Sequence, residues 1–174
     1  MDKNVTEVII PTGEEQIEDG AFKEFEKMVS VTIPYSVTSI GDEAFALCYK
    51  LTNLVIPDSV IEIGELAFFG CTGLISLTIP GSVLKIGNVA FSECDNMENL
   101  IIKDGVEEIG AFAFAHNHSL KSVTIPESIT KIGEKAFYNC ANLKSVEIPK
   151  KLAGTEIANL LISSGVEAKA LREV

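Results

Sequence analysis

Hydrophobic side chains recur along the chain with a period of 23 residues. One unit, residues 51–73, reads LTNLVIPDSVIEIGELAFFGCTG, and the next unit, residues 74–96, reads LISLTIPGSVLKIGNVAFSECDN. Each unit opens with a segment of the form LxxLxIP, in which residues such as Leu54 and Ile56 alternate as in a short strand with one face inward. Proline then ends the strand, because it has no N–H to donate to a neighbour.

Four residue types occupy fixed columns of this repeat. Every proline lies in one column: Pro11, Pro34, Pro57, Pro80, Pro126 and Pro149. Every cysteine lies in another: Cys48, Cys71, Cys94 and Cys140. A phenylalanine column contains Phe22, Phe45, Phe68, Phe91, Phe114 and Phe137, and a glycine column contains Gly41, Gly64, Gly87, Gly110 and Gly133. We expect the phenylalanines in the core and the glycines in turns with positive φ.

The fold follows from stacking these units. The AFxxC segment has apolar residues at i, i+1 and i+4, which favours one or two helical turns. A 23-residue unit cannot bury its apolar face alone, whereas stacked units share a continuous core. The sequence therefore predicts an α/β solenoid with a parallel sheet on one face and short helices or turns on the other. Seven coils over residues 5–165 form a single domain, 1–174.

The two ends of the array depart from the repeat. In the first coil, Glu14 stands where other coils carry Val or Ile, and Glu18 replaces the glycine. Residues 150–174 are predicted to form a C-terminal cap, since Ile157, Leu160 and Leu161 have helical spacing and Thr155 suits an N-cap. Open sheet edges at the ends also predict end-to-end or edge self-association.

The pattern LxxLxIPxSVxxIGxxAFxxC resembles the BspA-type leucine-rich repeat, whose 23-residue units carry the same IP, IG and AF dipeptides. The resemblance covers residues 5–149. It implies a leucine-rich-repeat solenoid, and it implies adhesion and protein binding by a cell-surface or secreted protein, as in members from mucosal bacteria and some protists. Such proteins usually carry an export signal. The start MDKNVTEV has no apolar h-region, so a cytoplasmic location is the alternative.

Charge and composition narrow the choice of partners. The chain is 47% hydrophobic and 22% charged, which is typical of a folded protein. It has 14 Lys+Arg against 25 Asp+Glu, for a net charge of −11. A nucleic-acid surface needs clustered basic residues, and the sequence has no such run. No apolar run approaches the ~20 residues of a membrane span, so no membrane insertion is predicted.

The best candidate for a functional surface is the outer face of the predicted sheet, where side chains are free of the demands of the core. Two outward columns run along this face and are nearly uncharged, with Glu7 and Glu147 only at their ends. Between them they carry hydroxyl, amide and β-branched side chains, and we interpret them as a strip that binds a protein or a glycan. Because β-propensity and repeat duplication explain the same composition, a structural spacer of a larger surface protein is the alternative. The predicted binding residues are Ser30, Thr32, Asn53, Val55, Ser76, Thr78, Asn99, Ile101, Ser122 and Thr124.

Two histidines, His116 and His118, flank Asn117, which stands in the cysteine column. Asn117 is predicted to be buried and to donate to backbone carbonyls of the turn. The histidines fall in columns of mixed residue types, as expected of surface turns. A metal site needs three or four convergent ligands, and here Glu93 and Asp95, one coil away, would have to complete it.

The cysteines have three interpretations. Stacked neighbours would lie about 5 Å apart, within the Cα window of a disulfide, but parallel Cβ vectors disfavour a bridge. A nucleophilic Cys94–His pair would need the thiol to point outward. Buried reduced thiols are predicted instead. The sequence also has no P-loop, GxGxxG or nucleophile elbow, so the chain is predicted not to be an enzyme and to hold no metal or other cofactor.

Overall fold

Each 23-residue unit forms one coil of a solenoid, and equivalent residues of successive coils lie side by side. The computed structural model describes residues 2–152, 161–162, 166 and 171–173. Two columns of parallel strands run along the rod, so this fold is a β-solenoid. Strands pair in register from coil to coil, as where Val123 of one coil pairs with Leu100 and Val146 of its neighbours.

The first column contains the strands predicted from LxxLxIP. They are β1 (Glu7–Ile9), β3 (Ser30–Thr32), β5 (Asn53–Leu54), β7 (Ser76–Ile79), β9 (Asn99–Ile102), β11 (Ser122–Thr124) and β13 (Ser145–Ile148). Proline follows the strand as predicted: β7 ends directly before Pro80 and β13 directly before Pro149. The alternation predicted for these strands is confirmed in β7, where Leu77 and Ile79 are buried while Ser76 and Thr78 are exposed.

A second parallel sheet, which we did not predict, lies just before the glycine column. Its six two-residue strands are β2 (Gln16–Ile17), β4 (Ser39–Ile40), β6 (Glu62–Ile63), β8 (Lys85–Ile86), β10 (Glu108–Ile109) and β12 (Lys131–Ile132). In each strand the isoleucine is buried, and the residue before it lies at the surface. The second apolar position of every coil therefore packs into the same core as the first sheet.

The predicted short helices of the AFxxC segments are wrong, because these segments form turns. In one coil, Leu66 and Gly70 have φ of 56° and 70°, and the other coils have left-handed residues at the same positions. Alternate N–H groups donate to the next coil, as Phe68 does to Ala90 O at 2.8 Å. The N–H groups between them donate within their own turn, as the Phe69 N–H donates to Leu66 O at 3.0 Å. An α-helix would direct all of these N–H groups along its own segment.

The glycine column serves close packing between coils, and the predicted positive φ is wrong for these residues. Among the described residues, the glycines with positive φ are Gly13, Gly20, Gly70 and Gly105, none of which belongs to the column. A Cβ on Gly87 would lie 2.4 Å from the carbonyl carbon and oxygen of Gly64 in the adjacent coil. Only a residue without a side chain allows that approach of two backbones.

The core is continuous along the rod and contains the phenylalanine column, as predicted. Adjacent rings are stacked with centroids 4.9–5.5 Å apart and planes within 12° of parallel. Five of the rings are fully buried, at 0% exposure: Phe45, Phe68, Phe91, Phe114 and Phe137. Each coil therefore buries its apolar face against its two neighbours and not within itself.

The C-terminal segment continues the first sheet. After a 3-10 helix at Lys150–Leu152, Leu161 and Val166 are buried, and strand β14 (Leu171–Glu173) pairs in parallel with β13. The predicted helix and the Thr155 N-cap fall mostly outside the described residues. Addition of β14 covers the edge of β13, as a capping segment would.

Candidate functional site

The predicted binding residues lie together on the outer face of the first sheet. Nine of them are exposed, and Ser30 is partly buried. The register brings them into two straight columns: Ser76 lies beside Asn99 and Asn99 beside Ser122, while Thr78 lies beside Ile101. Parallel strands lie about 4.8 Å apart, so each column presents one side chain at that interval along the rod.

Polar contacts on this face run between neighbouring coils. The Asn99 amide donates to Ser76 Oγ at 3.3 Å, and the Thr124 hydroxyl donates to a Glu147 carboxylate oxygen at 3.2 Å. Several side chains expose apolar surface: Val55 is 76% exposed and Ile101 is 56% exposed. The face therefore offers hydroxyl and amide groups next to aliphatic groups.

A cleft interrupts this face between the third and fourth coils. Strand β5 belongs to a three-stranded sheet with β1 and β3, whereas β7 begins a five-stranded sheet that ends at β14. At the interruption lies a cleft of about 400 Å³, which Val55, Thr78 and Lys103 help to line. Tyr35 stands at its margin with 79% of its surface exposed. The sequence does not mark this cleft, because LVIP at residues 54–57 and LTIP at residues 77–80 have the same pattern.

Charge is concentrated away from the face, on the second sheet and the turns. There Glu62 pairs with Lys85 at 3.1 Å, and Glu108 pairs with Lys131 at 3.3 Å. These partners are largely exposed, so each pair contributes little to stability. From Ser30 to Thr124 the two outward columns carry no charged side chain. The electrostatic contrast between the two sheets separates an uncharged surface from a charged one on the same rod.

The histidines lie at the surface, in a small polar cluster. His118 Nδ1 lies 2.7 Å from Asp95 Oδ1, with both side chains about half exposed. Asn139 Nδ2 lies 3.1 Å from His116 Nδ1 and 3.3 Å from His118 Nε2. Glu93 does not join them as a fourth ligand. Within residues 2–152, 161–162, 166 and 171–173, no three His, Cys, Asp or Glu side chains form a group that could hold a metal ion.

Asn117 occupies the buried position predicted for it. Its Nδ2 donates to Phe91 O and to Phe114 O, each at 2.9 Å, and the side chain is 0% exposed. The cysteines of the column make the corresponding contact with one weak donor, as Cys71 Sγ does to Phe45 O at 3.2 Å. The column therefore satisfies one inward-facing carbonyl in each of the first five coils.

All four cysteines are free thiols buried in this column, as predicted. Burial raises the pKa of Cys94 to about 12 and the pKa of Cys48 and Cys140 to about 11. It raises the pKa of Cys71 well above its ordinary value. A nucleophilic cysteine requires the opposite shift, toward thiolate. Cys94 instead donates to Phe68 O at 3.4 Å, inside the core and away from the histidine rings.

Comparison with known families confirms that the chain is built from leucine-rich repeats. The model of the BspA type leucine rich repeat region matches residues 1–94 and 38–159, with six copies. Among curated proteins, none matches this chain. No helix within the described ranges is long and apolar enough to cross a membrane.

Solved structures of bacterial leucine-rich repeat proteins have a similar fold. A leucine rich cell surface protein from Faecalibacterium prausnitzii aligns with 98% of this chain at 24% identity and a TM-score of 0.58. This chain spans 59% of that protein's length. The Treponema (T. pallidum) leucine rich repeat protein aligns with 81% of this chain, and 78% of its own, at 24% identity and a TM-score of 0.61. The pneumococcal vaccine antigen PcpA aligns with 83% of this chain and 51% of its own, at 20% identity and a TM-score of 0.52.

Proposed function

Because this chain belongs to the BspA-type leucine-rich repeat family, we propose that it is a non-enzymatic binding module that acts in adhesion. Its ligand is a protein or a glycan, and it binds on the outer face of the first sheet. The observation that carries the proposal is an exposed, uncharged face on a chain of net charge −11. The family is typically associated with the cell surface, and we extend that location to this chain.

The composition of the face supports a binding role, because the fold does not require it. Core positions of every coil are filled by the isoleucine, phenylalanine and cysteine columns. Outward positions on the second sheet satisfy the same strand geometry with charged pairs such as Glu62 and Lys85. The first sheet instead keeps Ser, Thr, Asn, Val and Ile outward from Ser30 to Thr124. Exposed aliphatic groups beside neutral hydrogen-bonding groups suit recognition of another molecule.

The absence of an enzymatic role is part of the proposal and rests on the chemistry of the described residues. The thiols are protonated and donate to carbonyls inside the core, so they are poor nucleophiles. His118 pairs with Asp95 at the surface, where neither side chain contacts a nucleophilic group. Geometry of this kind supports recognition and not covalent chemistry.

The test is binding of the purified chain to immobilised extracellular-matrix proteins and to a glycan panel. The variant Thr32→Arg/Thr78→Arg/Thr124→Arg adds bulk and charge to alternate coils of the face. A matched control, Thr38→Arg/Leu84→Arg/Thr130→Arg, adds the same groups to the same coils beside the second sheet. All six positions are exposed, so both variants should melt as the wild type does.

Saturable binding that the first variant loses and the control retains is the expected result. Equal loss in both variants would move the binding surface away from the first sheet. If no probe binds the folded wild type, the chain acts as a spacer segment of a larger surface protein, which is the alternative function.

A further inference from the structure

The exposed face has a repeat of two coils, superimposed on the one-coil repeat of the core. The third and fifth coils present Asn with a β-branched aliphatic residue, Asn53 with Val55 and Asn99 with Ile101. The second, fourth and sixth coils present Ser with Thr instead: Ser30 with Thr32, Ser76 with Thr78, and Ser122 with Thr124. The alternation therefore holds over five consecutive coils in both columns at once.

Internal contacts explain only part of this alternation. The Asn99 amide donates to Ser76 Oγ, which gives the polar column a partner within the face. In the other column, Val55 and Ile101 are 76% and 56% exposed, so burial does not select an aliphatic side chain there. On the second sheet a similar alternation of Glu62, Lys85, Glu108 and Lys131 forms ion pairs between coils. The aliphatic residues of the first sheet have no such pairing between coils.

We propose that the face binds an uncharged, extended, β-linked polysaccharide that lies along the axis of the rod, with one disaccharide for every two coils. The inference rests on the proposed function and names the ligand class. Two coils span roughly 9.6 Å at ~4.8 Å per strand. In an extended β-1,4-linked chain successive sugars are turned over, so the same ring face recurs once per disaccharide, over a length close to that of two coils.

A sugar ring offers C–H groups on its faces and hydroxyls around its edge, and the two kinds of coil suit these two kinds of contact. The aliphatic side chains of Val55 and Ile101 offer apolar contact to the C–H face of a sugar. The hydroxyls of Thr32, Thr78 and Thr124 both donate and accept hydrogen bonds, as sugar hydroxyls do. The exposed Tyr35 ring at the edge of the cleft adds an aromatic surface where β5 and β7 separate. Aliphatic contacts therefore recur at every second coil, with hydroxyl contacts between them.

Charge and composition favour this ligand over a protein. Protein interfaces concentrate binding energy in Trp, Tyr and Arg, and the two outward columns contain none of these from Ser30 to Thr124. An anionic polysaccharide would be repelled by a chain of net charge −11. A neutral polymer with a fixed repeat matches both the lack of charge in the two outward columns and their two-coil repeat.

Isothermal titration with defined oligosaccharides tests the inference. The probes are hexasaccharides of β-1,4-linked glucose, mannose and N-acetylglucosamine, each compared with its own disaccharide. Maltohexaose, which has α-linkages and does not extend, is the control sugar. Thr32 and Thr124 lie four coils apart, which is about 19 Å at ~4.8 Å per coil. The stacked rings of adjacent coils keep a similar spacing of 4.9–5.5 Å, including across the cleft. A hexasaccharide, which is three disaccharides long, therefore spans both repeats of this face, whereas a disaccharide spans only one.

Variants then test the two-coil repeat itself. Val55→Thr/Ile101→Thr makes the column uniformly threonine with little change in volume at exposed sites. Ile61→Thr/Leu84→Thr makes the same kind of change beside the second sheet, where these residues are 47% and 45% exposed. We expect at least one β-linked hexasaccharide to bind more than tenfold tighter than its disaccharide and than maltohexaose. The first variant should weaken that binding about tenfold, and the control should leave it unchanged.

Two outcomes overturn the inference: no β-linked hexasaccharide binds, or binding is the same in Val55→Thr/Ile101→Thr as in the wild type. These outcomes differ from failure of the proposed function. If a protein probe binds and the triple arginine variant loses it while no hexasaccharide binds, the face is a protein-binding site and only the ligand class is wrong. If neither proteins nor sugars bind, both proposals fail together.

Discussion

At the residue scale, the solenoid depends on satisfying one buried carbonyl in each of the first five coils. Cysteine supplies a weak donor in the second, third, fourth and sixth coils, and Asn117 supplies two N–H donors in the fifth. Asn117 also carries a cost, since its Oδ1 is buried without a hydrogen-bond partner among the described residues. The sequence predicted this role because the asparagine falls in register with the cysteines.

Two replacements of Asn117 distinguish the contribution of its hydrogen bonds to stability from the contribution of side-chain size. Asn117→Leu removes both donors. The buried carbonyl of Phe91 loses the Asn117 hydrogen bond, while Phe114 O keeps its contact with Cys140 Sγ at 3.2 Å, so the free energy of unfolding should fall by about 2 kcal/mol. Asn117→Cys restores the residue of the other coils and removes the unpartnered oxygen, so it should stay within about 1 kcal/mol of the wild type. Urea unfolding measures both, and equal losses in the two variants would contradict the role of the donors.

The buried thiols make stability sensitive to alkaline pH. Burial raises the pKa of Cys94 to about 12 from the ordinary value of 9.0, so the folded chain keeps this proton at a pH where the unfolded chain loses it. The contribution is complete below about pH 9 and disappears as pH rises toward about 12. The free energy of unfolding should therefore decline over this interval.

Comparison with Cys94→Ala isolates the contribution of this thiol from that of every other group in the chain. Urea unfolding at intervals from about pH 8 to pH 11 should give a steeper decline for the wild type than for the variant. Parallel declines would show that Cys94 titrates normally and is not buried as described.

At the element scale, the secondary structure of each coil depends more on contacts with neighbouring coils than on the helix or strand propensity of its own residues. The strands of the first sheet were predictable because LxxLxIP combines alternation with a proline that ends pairing. The second sheet was not predictable, because its strands have only two residues, as in Glu62–Ile63, and two residues cannot show an alternating period. The predicted helices do not form, because residues such as Leu66 adopt left-handed φ and donate their N–H to the next coil. Hydrogen bonding between coils therefore outweighs the local helical propensity of the segment.

The glycine column offers a test of this dependence on stacking. Gly87→Ala would place a Cβ 2.4 Å from the Gly64 backbone, so the coils must separate and the free energy of unfolding should fall by about 3 kcal/mol. Gly20→Ala is the control: Gly20 has φ of 62° but no atom within 4 Å of the added Cβ. Leu66 and Val89 adopt the same left-handed conformation at its equivalent positions.

Thermal or urea unfolding of the two glycine variants measures the difference directly. The control should lose only about 1 kcal/mol, the cost of placing a side chain at a left-handed position. If Gly20→Ala destabilises the protein as much as Gly87→Ala does, conformational freedom and not close approach determines the glycine column.

At the scale of the whole molecule, the outward columns of the first sheet are uncharged from Ser30 to Thr124, whereas the second sheet carries ion pairs. Sequence periodicity predicted which side chains face outward, because a strand within a strict repeat has only one register that buries its apolar residues. It did not predict the cleft between β5 and β7, since pairing between coils depends on backbone positions that residue types in LVIP and LTIP do not reveal. The predicted self-association at the ends of the rod stays a prediction.

If the first sheet, and not the second, is the binding surface, only substitutions on the first sheet should weaken binding. The measurement that tests it most directly is binding to the protein and glycan panel by three proteins of equal stability: the wild type, Thr32→Arg/Thr78→Arg/Thr124→Arg and Thr38→Arg/Leu84→Arg/Thr130→Arg. We expect saturable binding by the wild type and by the second variant, with at least a tenfold loss of affinity, about 1.4 kcal/mol, in the first. Wild-type affinity retained by the first variant would contradict it.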